Sequence, residues 1–127
     1  MSNTFVKLAS GDIEIDHIRE MYEDLKGTTF QHMNWKPRPA LVDKNGKTTR
    51  LYTGQKFDPT YTDLIEDGWT HDHCQICFVS IGEHENQFTQ TEGFFDGYDW
   101  VCQSCYETLL SVDNLEEKLK EFPQYQK

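Results

Sequence analysis

Residues 73–79 read HCQICFV, and residues 100–110 read WVCQSCYETLL. Together they hold all four cysteines of the chain, Cys74, Cys77, Cys102 and Cys105, as two C-x-x-C pairs with 24 residues between them. Two sulfurs three positions apart reach one ion, and two such pairs complete the tetrahedral shell of structural zinc. The spacer exceeds the usual ~15–20 residues, an excess that a hairpin absorbs. The spacing therefore predicts one structural Zn2+ on Cys74, Cys77, Cys102 and Cys105. Three other chemistries use the same residues. Two disulfides require an oxidising compartment. A redox motif of thioredoxin type sets one pair beside a βαβ pattern, which this sequence lacks. Iron also accepts a tetrahedral sulfur shell. A closed shell leaves no position for water, so the predicted role is structural and not catalytic. Four thiolates around one divalent ion carry a net charge of about −2, which adds to the acidity of the chain.

The two pairs sit in different settings. The first precedes Phe78-Val79-Ser80-Ile81, a strand-like run, and Asp96-Gly97 lies between aromatics as a hairpin signal. The second pair opens a helix, where free N–H groups and the dipole favour thiolates. Leu109, Val112, Leu115, Leu119 and Phe122 recur at three- and four-residue steps. Asp113 with Glu116 reads as a capping box, so the helix is expected to break near residue 112 and restart.

The order of knuckle, hairpin and ligand-bearing helix over residues 71–112 resembles the treble-clef zinc fingers, on HCQICFV and WVCQSCYETLL. The resemblance covers less than half of the chain and implies the four cysteines as zinc ligands. The wider pattern HDHCQIC…EGFFDGYDWVCQSCYETL is similar to small bacterial proteins with no assigned activity. Treble clefs serve many tasks, so the resemblance implies a scaffold and not a function. Rubredoxin-like knuckles carry glycine after the second cysteine. Phe78 and Tyr106 stand there in this chain, which weighs against iron.

Upstream, GDIEIDHIREMYEDLK at 11–26 places Ile15, Ile18, Tyr22 and Leu25 on one helical face, with Gly27 as a stop. Residues 39–53, PALVDKNGKTTRLYT, hold Asn45-Gly46 between two strand-like runs, a strong hairpin signal. FQHMNWK at 30–36 is expected beside that hairpin as a third strand, with Pro37 and Pro39 at an edge or turn. Residues 58–70 read as a short helix or irregular link ended by Asp67-Gly68. The expected fold is α+β: an N-terminal helix and antiparallel hairpin sheet packed on a C-terminal, treble-clef-like zinc module ending in a helix. The 127 residues are read as one compact unit of two lobes, 1–70 and 71–127. An aromatic content of 13% supports a folded core despite only 36% hydrophobic residues.

The net charge of −10 excludes an overall attraction to nucleic acid or to anionic membranes. No apolar run approaches the ~18 residues of a membrane span, and no export signal is visible, so a soluble, cytoplasmic protein is expected. Nucleophile-elbow, zinc-protease and phosphate-loop motifs are lacking, and the chain is read as non-enzymatic. Charge is uneven. Residues 36–56 carry six basic residues against one acid, Asp43, for a balance of +5, which leaves −15 for the rest. Lys36, Arg38, Lys44, Lys47 and Arg50 thus form a candidate contact surface, or an edge hairpin guarded by its own cations. The favoured function is an acidic, zinc-stabilised protein-binding module for a basic partner, with an inhibitor or immunity-type protein as one version. The alternative is nucleic-acid binding through residues 36–56. His71 and His73 read as neighbours of the complete sulfur shell, against a second metal site. His84 reads as solvated beside Glu83 and Glu85, and His17 and His32 have no partner visible in the sequence.

Overall fold

A computed structural model describes residues 3–84 and 89–127. It is a mixed α+β arrangement of four small sheets and short helices. Strands β1 (Thr4–Leu8) and β2 (Gly11–Glu14) pair antiparallel around a two-residue turn, with Val6 opposite Ile13 and both buried. Helix α1 spans Ile15–Leu25 and buries Ile15, Ile18 and Leu25. The helix expected from residue 11 thus begins four residues later. Gly11, at φ +146°, lets the chain reverse after Leu8, and Ile13 is held by its cross-strand partner. Gly27, at φ +81°, follows the helix end as expected.

Strand β3 (Gln31–Asn34) does not join the 39–53 hairpin. It pairs with β10 (Glu92–Phe95), which in turn pairs with β11 (Trp100–Val101). His32 packs edge-on against Phe94 across that pairing, at 5.2 Å between ring centroids. The expected turn at Asp96-Gly97 is present. Gly97 takes φ +104°, and the Asp96 carboxylate accepts from the backbone N–H of Tyr98 and Asp99.

Strands β4 (Arg38–Asp43), β5 (Thr49–Leu51) and β6 (Thr62–Trp69) form a sheet in the order β5-β4-β6. Asn45-Gly46 makes the predicted turn, with Gly46 N–H donating to Asp43 O at 2.8 Å. Residues 62–69 are strand, and Asp67-Gly68 lies inside it instead of ending it. Ala40 faces Ile65, but Arg38 faces Trp69, so β6 bulges at Glu66–Gly68 opposite Pro39. Proline has no N–H to give to a ladder, and the bulge falls where that donor is missing. Strands β7 (His71–His73) and β8 (Ser80–Gly82) pair antiparallel, and β9 (Thr89–Gln90) runs parallel to β8.

Helix α2 (Gln103–Cys105) runs into a wider π turn over Tyr106–Leu110, closed by Ser111 N–H on Tyr106 O at 2.9 Å. The expected break follows, and α3 spans Leu115–Leu119. Its cap lies one residue beyond the predicted box: Asn114 Oδ1 accepts from Glu117 N–H, while Glu116 is held by Arg19 of α1 at 2.7 Å. The chain does not end in a helix. Pro123 stops it, and β12 (Gln124–Gln126) pairs with β1, where Tyr125 stacks on Phe5 and donates to Asp12.

The main core joins Val6, Ile18 and Trp35 to Ile76, Ile81, Trp100, Val101, Leu109, Leu119 and the four cysteines, so it runs across residue 70. Ala40 and Leu41 are buried within the β5-β4-β6 sheet, outside that cluster. Gly93 of β10 is buried where two strands approach closely. A Cβ there would meet the Val101 carbonyl oxygen at 2.9 Å. Gly93→Ala is therefore expected to destabilise the fold by about 1–3 kcal/mol through overpacking, read as a lower melting temperature by circular dichroism. An unchanged melting temperature would refute the close approach of β10 and β11.

Candidate metal centre

The first pair lies in the turn between β7 and β8. Cys74 N–H donates to Val79 O and Phe78 N–H to Cys74 O, each at 2.9 Å. Ile76 N–H points at Cys74 Sγ at 3.4 Å. Phe78 sits at φ +66°, the left-handed region that glycine favours. The backbone thus makes a glycine-type knuckle without the glycine. His17 of α1 stacks on the Phe78 ring at 4.8 Å and donates from Nε2 to Gln75 O at 2.9 Å. The second pair lies at the start of α2, where Cys102 is the N-cap and its sulfur accepts from Cys105 N–H at 3.4 Å. Gln75 N–H donates to Trp100 O at 2.9 Å and clips the knuckle onto β11.

These constraints converge four sulfurs. All lie within 4.8 Å of one another, and each cysteine is at most 4% exposed. Cys77 Sγ and Cys102 Sγ are 3.7 Å apart. A tetrahedron with metal–sulfur bonds of about 2.3 Å has edges of about 3.8 Å. The donor set and its spacing therefore fit a tetrahedral, thiophilic metal ion. Hydrogen bonds with Cys102 and Cys105 hold the Cys74 and Cys77 thiols below their ordinary range. Hydrogen bonds with Cys102, Cys74 and Cys77, with burial, push Cys105 up. Cys102 is drawn down by Cys105 but raised more by Cys74, Cys77 and burial. Four facing sulfurs ionise together only around a cation, so binding the metal expels protons.

Among the described residues this is the one group of three or more His, Cys, Asp or Glu side chains set to hold a metal. His71 and His73 stand outside it. His73 Nδ1 bonds to Phe78 O at 3.1 Å and His71 Nδ1 to Thr70 Oγ1 at 3.2 Å. Asp72, between them, accepts from two indoles, Trp35 Nε1 at 2.8 Å and Trp69 Nε1 at 3.1 Å. His17 and Asp72 are supports that the sequence does not signal, because their partners are distant in the chain. His32 lies 3.8 Å from Glu92, and His84 is exposed 4.0 Å from Glu83. Glu85 lies outside the described residues.

Of the five candidate contact cations, three face groups of the protein itself. Arg38 lies over the Phe95 ring at 5.5 Å, Lys44 is 3.7 Å from Asp63 and Arg50 is 3.5 Å from Asp43. Lys36 and Lys47 are exposed. No described helix is long and apolar enough to cross a membrane. No family model, curated protein or solved structure matches this chain.

Cys105→Ser removes one of the four converging donors and leaves the other three buried. The expected result is loss of bound metal and a large fall in melting temperature, or no folded protein, measured by metal analysis and circular dichroism. Metal sites of this kind contribute about 10–16 kcal/mol in small peptides. A variant that melts like the parent would refute the structural role.

Proposed function

We propose that this chain is a non-enzymatic protein-binding module, folded around one structural zinc ion in a treble-clef-like lobe, that takes a basic partner. Zinc is favoured by the closed set of four thiolates, which holds no position open for substrate. Purified protein is expected to carry one zinc per chain and to unfold on chelation without reductant. A folded, metal-free protein with oxidised cysteines, or a coloured iron protein, would overturn this part.

The partner reading rests on β6. Among the described residues β6 pairs with β4 alone, so its outer edge is open. Residues 63–67, Asp-Leu-Ile-Glu-Asp, are all exposed, with Leu64 at 41% and Ile65 at 46%. An open edge with two aliphatic side chains and three carboxylates offers backbone pairing, apolar contact and a negative field together. That combination suits an extended, basic segment added as a further strand. The net charge of −10 would steer such a partner and make association sensitive to salt. An inhibitor or immunity-type role against a basic protein is the concrete version. The internally engaged cations of the hairpin weigh against nucleic acid as the ligand.

The test is affinity capture from native lysate at low and high salt, with and without nuclease, followed by binding of the purified partner. A basic protein is expected in both nuclease conditions and released by salt. Leu64→Lys with Ile65→Lys should weaken it at least tenfold, and Lys44→Ala with Lys47→Ala should not. Nucleic acid in the eluate, lost on nuclease treatment and on replacing Lys44, Lys47 and Arg50, would overturn the reading in favour of the alternative.

A further inference from the structure

We propose that His71 and His73 form a second metal site, separate from the four cysteines, that takes a divalent transition-metal ion of the Ni2+, Cu2+ or Zn2+ class. The two residues alternate with Asp72 on β7, so their side chains share one face of the strand. Their rings lie 4.9 Å apart between centroids, close enough for two imidazoles to bind one ion. Both residues are exposed, and both line a cleft of about 480 Å³ with Trp69, Asp72, Tyr98 and Trp100.

The hydrogen bonds choose the free nitrogen. A backbone carbonyl only accepts, so His73 Nδ1 carries the proton given to Phe78 O, and the lone pair lies on Nε2. Donation from the remote ring nitrogen to a backbone carbonyl is the arrangement that orients metal-ligating histidines. His71 Nδ1 is occupied by Thr70 Oγ1, a hydroxyl that donates or accepts, so its Nε2 is the ring nitrogen open to an ion when Nδ1 is the donor. Among the described residues, neither Nε2 has a hydrogen-bond partner.

Asp72 adds no ligand to this pair: it lies on the opposite side of β7, where its carboxylate accepts from the Trp35 and Trp69 indoles. Imidazole suits nickel, copper and zinc, whereas the thiolate shell selects softer or more thiophilic ions. Two protein ligands leave the other positions to water or to a small molecule in the cleft. The ion should therefore be held more weakly than the one among the cysteines and exchange with solvent.

The test uses the full chain with its zinc content measured first, so failure of the cysteine site is recognised before nickel is added. Ni2+ is then titrated by equilibrium dialysis, with nickel and zinc both counted. One nickel per chain, retained without loss of zinc, is expected. His71→Ala and His73→Ala should each weaken nickel binding by at least about tenfold, the cost typical of losing even an indirect support of a metal site. His84→Ala, which removes an exposed histidine elsewhere, should leave it unchanged. His73→Asn, a polar replacement at this exposed position, guards against a folding artefact and should lose nickel while keeping zinc. Nickel taken up only at the expense of zinc, or held equally by the double variant His71→Ala/His73→Ala, would overturn the proposal.

Discussion

The convergence of four cysteine sulfurs is the constraint on which the rest of the molecule hangs. The aliphatic supply is small, and the cysteines are themselves part of the main core, packed with Ile76, Val101 and Leu109. A domain of this size has a net stability of about 5–15 kcal/mol. Holding one ion in four thiolates contributes on that same order. The sulfurs come from a knuckle and a helix start, two segments joined by 24 residues, and closing that loop costs chain entropy that the site must offset. The amide–sulfur contacts at Cys74 and Cys102 preset two of the ligands, which reduces the cost of assembling the shell.

The organisation outside the centre follows from what reaches it. Helix α1 touches the knuckle through His17, bonded to Gln75 O, and the third helix through the Arg19–Glu116 pair. That pair is exposed and contributes at most about 1 kcal/mol, so it fixes placement more than stability. Asp72 gathers the indole N–H groups of Trp35 and Trp69 at the junction between the β5-β4-β6 sheet and the metal-binding half. The sheet itself buries Ala40 and Leu41 apart from the main core. It therefore depends on its own pairing, and the bulge at Glu66–Gly68 falls opposite Pro39, where that pairing lacks a donor.

What could be read in the sequence was what short-range chemistry determines. The four ligands, the turns at Asn45-Gly46 and Asp96-Gly97, the stop at Gly27 and the break before Leu115 all depend on residues a few positions apart. The misses are long-range pairings. Strand β3 joins β10, some 60 residues away, and β12 joins β1 across nearly the whole chain. Residues 58–70 read two ways in the sequence, and the adjacent Leu64 and Ile65 fit neither a half-buried strand nor a helical face. The structure gives the reason: both are exposed on an edge strand. The cap at Asn114 was displaced by one residue because Asp113, Asn114, Glu116 and Glu117 offer two overlapping boxes, and the tertiary bond from Arg19 claims Glu116.

Charge is distributed differently in the fold than along the chain. The basic window of residues 36–56 looks like a separate positive surface when counted along the chain, and folding brings one further acid, Asp63, to it. Lys44 meets Asp63, Arg50 meets Asp43, and Arg38 lies on Phe95. Each of these contacts is weak alone, and Asp63 is the one acid among them that comes from outside the window, so the window keeps most of its positive balance. Among the described residues, the acids of β6 beyond Asp63 have no such answer. Glu66 and Asp67 are exposed on the bulge, next to the bare aliphatic pair. A basic segment of the proposed kind would therefore be drawn to the β6 edge, where the acids and the aliphatic pair lie together, and not to the acidic surface as a whole.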